Sequence, residues 1–230
     1  MYWENVRQQI KGLDCIEIGG PTELFSNLEH NSMLYDVIQS IDGINIFEDN
    51  PFQDINNKEY TPYGSLKGIL FNIDAAGIES ASTLNKKYSV VLSAHVLEHI
   101  ANPIRAITSW KNLLKDHGFL LIIVPEKSHC FDINREYTQF SHILDDYNNQ
   151  TDEADLSHLV EIKNKSAFPP RFFNLAQDNY KARVLHHHVY NLETLRETCE
   201  YCGFKTLYSF NNEKNKLQNI YLGQLKGWDA

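Results

Sequence analysis

Five short apolar runs, each stopped by glycine, aspartate, serine or proline, constrain this chain more than any other feature. Cys15-Ile16-Glu17-Ile18 stops at Gly19-Gly20-Pro21. Residues 32–46 carry a second run that ends near Asp42-Gly43, and 68–73 a third that ends at Asp74. Residues 89–92 form a fourth, before Ser93-Ala94-His95, and 119–124 a fifth, closed by Pro125. Between the last two, Ile104, Ile107, Trp110, Leu113 and Leu114 recur at helical spacing. Pro103 suits the first turn of that helix, and Asp116-His117-Gly118 supplies its stop. Continuous apolar strands alternating with helices predict a mostly parallel sheet covered on both faces.

The C-terminal part continues the pattern with a helix over 191–202, ended by Gly203, and two strands over 204–210 and 219–225. Residues 127–190 read differently. They are polar, rich in His, Asn and Asp, and too long for a plain loop, so they are expected to carry helices of their own. The predicted organisation is one domain over 1–230. A binding core occupies 13–126, a lid is inserted at 127–190 after the fifth strand, and a helix and strand pair close the chain at 191–230.

A formal charge of −9 argues against a nucleic-acid partner, whose phosphates call for basic surface. No apolar run reaches the roughly 18–20 residues that span a bilayer, and the first residues lack the apolar stretch of a secretion signal, so a cytoplasmic location is expected. Cys199 and Cys202 form a C-x-x-C, but no second pair follows at zinc spacing and the motif lies on a predicted helix.

In open α/β sheets ligands bind beyond the carboxyl ends of the strands. Gly19 and Gly20 follow the first strand and, without a Cβ, admit a ligand close to the backbone. Asp42 follows the second by position, where a carboxylate accepts from both ribose hydroxyls of a nucleoside. Asp36 competes with it, but VIQSI reads better as the strand end. Asp74 follows the third strand, suited to an adenine amino group, and Ser93-Ala94-His95 follow the fourth.

The segments CIEIGGP (15–21), NIDAAGI (72–78), YSVVLSAHVLEHIANP (88–103) and WKNLLKDHGFLLIIVPE (110–126) together resemble the class I S-adenosylmethionine-dependent methyltransferases of the type 11 group. FDINREYTQFSH (131–142), DEADLSHLVEI (152–162) and LHHHVYN (185–191) resemble a bacterial subgroup linked to surface-polysaccharide modification. The resemblance implies a Rossmann-like seven-stranded fold with S-adenosylmethionine as cofactor. It implies that Glu17, Gly19 and Gly20 hold the methionine end, Asp42 the ribose, and Asp74 with Ala75 the adenine. Ser93, His95 and Glu98 would line the floor beside the sulfonium. The usual G-x-G of the first motif is Gly19-Gly20-Pro21 here, which leaves an altered or lost grip open.

The implied reaction is methyl transfer to a small acceptor, a sugar or sugar nucleotide oxygen. The alternative is a catalytically silent binding or partner module. A hydroxyl acceptor profits from a base, and His142 is the candidate, with Asp132 or Arg135 orienting it or binding substrate. The rival for Asp132 and Arg135 is a structural ion pair. Of His186-His187-His188, strand alternation would admit at most two to one site, and His187 is taken to face the cleft. His95-Val96-Leu97-Glu98-His99 matches the H-x-x-E-H of inverted zinc peptidases, but a strand rather than a helix precedes it. Some quinone-pathway O-methyltransferases of this fold hold a divalent cation through the acid and His of this segment. Glu98 and His99 match, although no metal is expected.

Overall fold

The computed structural model describes residues 2–26, 33–46, 58–77, 84–165, 169–212 and 217–227. Its strands are β1 (Asp14–Ile18), β2 (Ser40–Asn45), β3 (Lys58–Tyr60), β4 (Gly68–Asn72), β5 (Tyr88–Ala94), β6 (Leu114–Pro125), β7 (Phe204–Asn211) and β8 (Gln218–Leu225). They form one sheet in the order β3-β4-β2-β1-β5-β6-β8-β7. The central strands β4, β2, β1, β5 and β6 run parallel, while β8 is antiparallel to β6 and to β7. The order reverses between β1 and β5, which makes that point the topological switch.

The Rossmann-like fold expected from the sequence is therefore present, with eight strands rather than seven. The extra strand is β3, antiparallel to β4 at the sheet edge. Its three residues, Lys-Glu-Tyr, present no apolar run, and an edge strand with one covered face needs none.

Alternation along β1 divides the core. Ile16 and Ile18 face a cluster built with Ile104, Ile107, Trp110, Leu195 and Cys199. Cys15 faces the opposite cluster, which includes Trp3, Val6, Ile10, Phe25, Leu34 and Tyr35. The helices α1 (Tyr2–Ile10), α2 (Pro103–Lys111) and α7 (Leu192–Tyr201) supply most of these side chains, and short 3-10 turns supply Phe25, Leu34 and Tyr35. Asn102 caps α2 by accepting from the Arg105 amide, and Asn191 caps α7 by accepting from the Thr194 amide. Cys199 and Cys202 are buried free thiols.

Between β6 and α7 the chain forms α3 (Phe140–Asn149), α4 (Leu159–Lys165), α5 (Pro170–Leu175) and α6 (Asn179–Ala182). Residues 127–190 thus carry helices, with 166–168 outside the described residues. Among the described residues no helix is long and apolar enough to cross a membrane.

Candidate active site

A cavity of about 200 Å³ opens at the switch point. Gly19 after β1, Asn45 and Ile46 at the end of β2, Asp74 and Ala75 beyond β4, and His95 and Val96 after β5 form its wall. His99 and Ile100 border it as well, and Arg183 reaches it from the inserted segment.

The glycine loop is supported from beneath. Gly19 adopts φ +76° and a Cβ there would lie 2.4 Å from Val96 Cγ2, so only glycine fits. A Cβ on Gly20 would lie 2.2 Å from the Glu17 carboxyl carbon. Glu17 is buried under this loop, not in the cavity wall. Its carboxylate accepts from Tyr35 Oη at 2.7 Å, Tyr60 Oη at 2.5 Å and the Thr22 amide at 3.1 Å. Burial outweighs those donors and raises its pKa to about 7. Glu17 and Gly20 therefore brace the loop, while Gly19 alone of the three faces the cavity.

The position of Asp42 is a correction. β2 continues to Asn45, so Asp42 sits inside the strand, paired with Ile16. Its carboxylate accepts from Ile69 N at 2.8 Å, Lys86 Nζ at 2.7 Å and Tyr88 Oη at 2.8 Å. With those partners and 6% exposure it ties β2 to its neighbours and does not reach the carboxyl edge. Asp36 lies in a 3-10 turn before the strand. The residue at the edge is Asn45, whose Nδ2 donates to Gly20 O at 3.1 Å. The sequence hid it because Asp42-Gly43 looks like a turn, whereas Gly43 is packed against Tyr60 and Leu70 within the sheet.

Asp74 stands at the cavity as expected. Its Oδ1 accepts from the Ala76 amide at 2.9 Å, and its Oδ2 pairs with Arg183 at 2.7 Å. Arg183 also approaches Glu153 at 3.4 Å, a carboxylate only 3% exposed. The carbonyl of Ala75 accepts from Trp110 Nε1 at 3.0 Å and that of Ala76 from Arg105 Nε at 3.3 Å, so α2 clamps this loop. Arg183 was not legible as a site residue, because nothing local in its sequence ties it to Asp74.

Beyond β5 the chain turns sharply at His95, whose φ is +55°. Ser93 is buried in β5 with its Oγ lacking a hydrogen-bond partner. Glu98 is buried too, and its Oε2 has none. Burial raises the Glu98 pKa to about 7. Ligating atoms of Glu98, His99 and His186 lie within 4.8 Å of one another. The Nδ1 edge of His99 faces Leu185 O at 3.0 Å, and that of His186 faces Asp132 Oδ2 at 2.5 Å. Burial pushes His99 down to about 3, so its ring is neutral, with Nδ1–H donating and Nε2 an acceptor.

Asp132 and Arg135 form an ion pair at 2.9 Å, each 2% exposed. Arg135 also donates to His186 O at 2.9 Å and reaches Glu161 at 3.4 Å. The expectation that this pair orients His142 is corrected, because Asp132 orients His186 instead. His142 lies on α3 against His158 and Asp146, outside the cavity wall. His187 is corrected as well. It is buried away from the cavity, with Asn179 Nδ2 at 3.1 Å from its Nε2. Strand alternation does not govern residues 186–188, since the segment is not a strand. Its three rings go to Asp132, Asn179 and Asp146 in turn.

The profile of a family described as "Methyltransferase domain" matches residues 7–209. The chain belongs to the methyltransferase-domain family. Two solved structures share the fold. A SAM-dependent methyltransferase from Aquifex aeolicus has 11% identity and a TM-score of 0.50, with 97% of this chain and 89% of that one covered. An S-adenosylmethionine-dependent methyltransferase from Mesorhizobium loti has 9% identity and a TM-score of 0.50, with 96% of each chain covered. No curated protein matches the chain. The methyltransferase assignment supports S-adenosylmethionine as the methyl donor.

Proposed function

We propose that this methyltransferase moves the methyl group of S-adenosylmethionine to an oxygen of a small acceptor, a sugar or sugar nucleotide used in surface-glycan synthesis in the cytoplasm. The observation that carries the reading is the cavity itself: an edge amide and carboxylate, Asn45 and Asp74, flank a glycine approach at Gly19. Gly19 takes the methionine end, braced by Glu17 and Gly20. Asn45 takes the ribose in place of Asp42. Asp74 and Ala75 take the adenine, and His95 flanks the sulfonium, with Ser93 buried behind it in β5.

The sulfonium supplies the leaving group, so the protein's share is alignment and exclusion of water. Bound there, the donor would supply an activated methyl group and a sulfur leaving group, and the acceptor's hydroxyl proton would pass to a base. His99 borders the cavity and, with Nδ1–H on Leu185 O, offers Nε2 to that proton, while Glu98 stands behind it, buried and without a hydrogen-bond partner on Oε2. The same orphaned carboxylate oxygen, with His99 and His186 beside it, also fits a divalent cation. Such an ion would supply Lewis acidity to the acceptor oxygen.

Calorimetric titration with S-adenosylmethionine and S-adenosylhomocysteine tests the reading, followed by methyl transfer to a panel of sugars and sugar nucleotides. Micromolar binding lost in Asp74→Ala and Asn45→Ala is the expected result. Failure of the folded protein to bind either nucleoside would sink it. The second reading, a silent module, is favoured by one contact: Arg183 already occupies Asp74. Binding without turnover on any acceptor would select it.

A further inference from the structure

Outside the cavity, four side chains converge at the seat of the inserted segment. His142 and Asp146 stand one helical turn apart on α3, with His142 Nε2 at 3.3 Å from Asp146 Oδ2. His188 Nε2 approaches the same oxygen at 3.0 Å. His158, just before α4, sets its Nε2 3.2 Å from His142 Nε2. The ligating atoms of His142, Asp146 and His188 all lie within 4.8 Å of one another.

Hydrogen bonding at His188 does not close. A neutral imidazole has one N–H and one lone pair. His188 is fully buried, yet both of its ring nitrogens face acceptors: Ile100 O at 3.2 Å and Asp146 Oδ2 at 3.0 Å. A neutral ring satisfies one and sets a lone pair against the other. A doubly protonated ring satisfies both but places a cation where water is excluded, which burial opposes.

A metal ion between His188 Nε2 and Asp146 resolves the conflict. With Nδ1–H donated to Ile100 O, His188 is fixed in the tautomer that offers Nε2, the outer-shell arrangement common to metal-bound histidine. His158 flanks the cluster, its Nε2 3.2 Å from His142 Nε2 and its Nδ1 3.8 Å from Glu161 Oε2. The His142–Asp146 and His188–Asp146 separations, 3.3 and 3.0 Å, are close to the edge, about 3.3 Å, of a tetrahedron with ligands roughly 2.0 Å from zinc. Two imidazoles and one carboxylate, with water in the open position, suit zinc or a neighbouring first-row divalent ion. The His142 side chain is 42% exposed and leaves a route for the ion.

We infer that His142, Asp146 and His188 form a binding site for a divalent transition metal, zinc by its donor set. The ion fastens α3 and the 183–191 segment to each other, and through Ile100 to the cavity wall. The inference is independent of methyl transfer and of any ion at Glu98.

The test uses the full chain, stripped with chelator and titrated with Co2+ alone. Binding of one equivalent with tetrahedral visible bands is expected at this site. His142→Ala and Asp146→Asn should each weaken those bands' titration by at least roughly tenfold, while Glu98→Gln leaves it in place. Zinc should raise the melting temperature of the stripped protein and not that of the two variants. Absence of cobalt binding by the folded, stripped protein would overturn the inference. So would bands that persist in His142→Ala and Asp146→Asn, or that vanish only in Glu98→Gln. His142→Ala removes a half-exposed side chain, so loss of bands with an unchanged circular dichroism spectrum reports the site and not the fold.

Discussion

Asp42 and Asn45 stand three residues apart on one strand and do different work. Asp42 joins Lys86, Tyr88 and Ile69 N inside the sheet. Replacing it with Ala orphans the buried Tyr88 hydroxyl and should cost about 1–3 kcal/mol in denaturant unfolding. Affinity for S-adenosylhomocysteine should stay as it was; a large loss of affinity in Asp42→Ala would restore it to the ribose. Gly20→Ala should be damaging in another way. The new methyl group meets the Glu17 carboxyl carbon at 2.2 Å, so the loop must shift, at about 1–3 kcal/mol, and cofactor binding should weaken with it. Glu17 itself makes stability depend on pH. Its folded pKa, about 7, lies above the ordinary glutamate value of 4.5 that holds in the unfolded chain. The native state thus holds the proton more tightly, and the stabilisation is complete below 4.5 and lost as pH rises through 7. The span is on the order of 3 kcal/mol. Glu98 adds in the same direction. Unfolding free energies measured across this window should fall with pH, less steeply in Glu17→Gln; an unaltered slope would clear Glu17 of the effect.

The elements differ in how much of them could be read from the chain. Strands β1 and β5 and helix α7 announce themselves, because continuous apolar runs and helical spacing are local properties. The same spacing carries the α2 reading too far, to Leu114 with a stop at Asp116-His117-Gly118, whereas α2 ends at Lys111 and β6 already starts at Leu114. β2 ran three residues further than its Asp-Gly suggested, and β3 left no signal, since pairing at an edge is decided by the neighbour and not by the segment. The inserted helices were foreseen only as helix of some kind. Their contacts with the core depend on side chains far apart in sequence, such as Arg183 with Asp74, 109 residues away. That contact makes a prediction at this scale. Arg183→Ala leaves Asp74 without its ion-pair partner and buried Glu153 with Arg105 at 3.8 Å and the Ala101 amide at 3.3 Å. The 127–190 segment should then open more often, and limited proteolysis should cut it several-fold faster with the strands of the sheet intact. Equal rates of cleavage would show that the segment is held by its apolar contacts instead.

Across the whole molecule, the sequence pattern was sufficient for the class of fold and for the edge of the sheet that carries the cavity. Gly19, Asp74, Ala75 and His95 fell at strand ends and stand at the cavity as read. The histidines were harder. Ten of them in one chain offer many pairings, and which ring meets which carboxylate is fixed by packing of α3 and the 183–191 segment on the core. Glu17 and Glu98, both read as cofactor contacts, sit instead behind the wall, where each shapes the residues that do face it.

The clamp between α2 and the adenine-side loop has an optical corollary. Trp110 is wholly buried, and its indole N–H donates to the carbonyl of Ala75, a residue of the cavity wall. Whatever settles against that wall polarises the carbonyl and with it the indole. The protein therefore carries its own emission reporter, one that should respond to the nucleoside without a label and allow its arrival to be timed in a stopped-flow mixer.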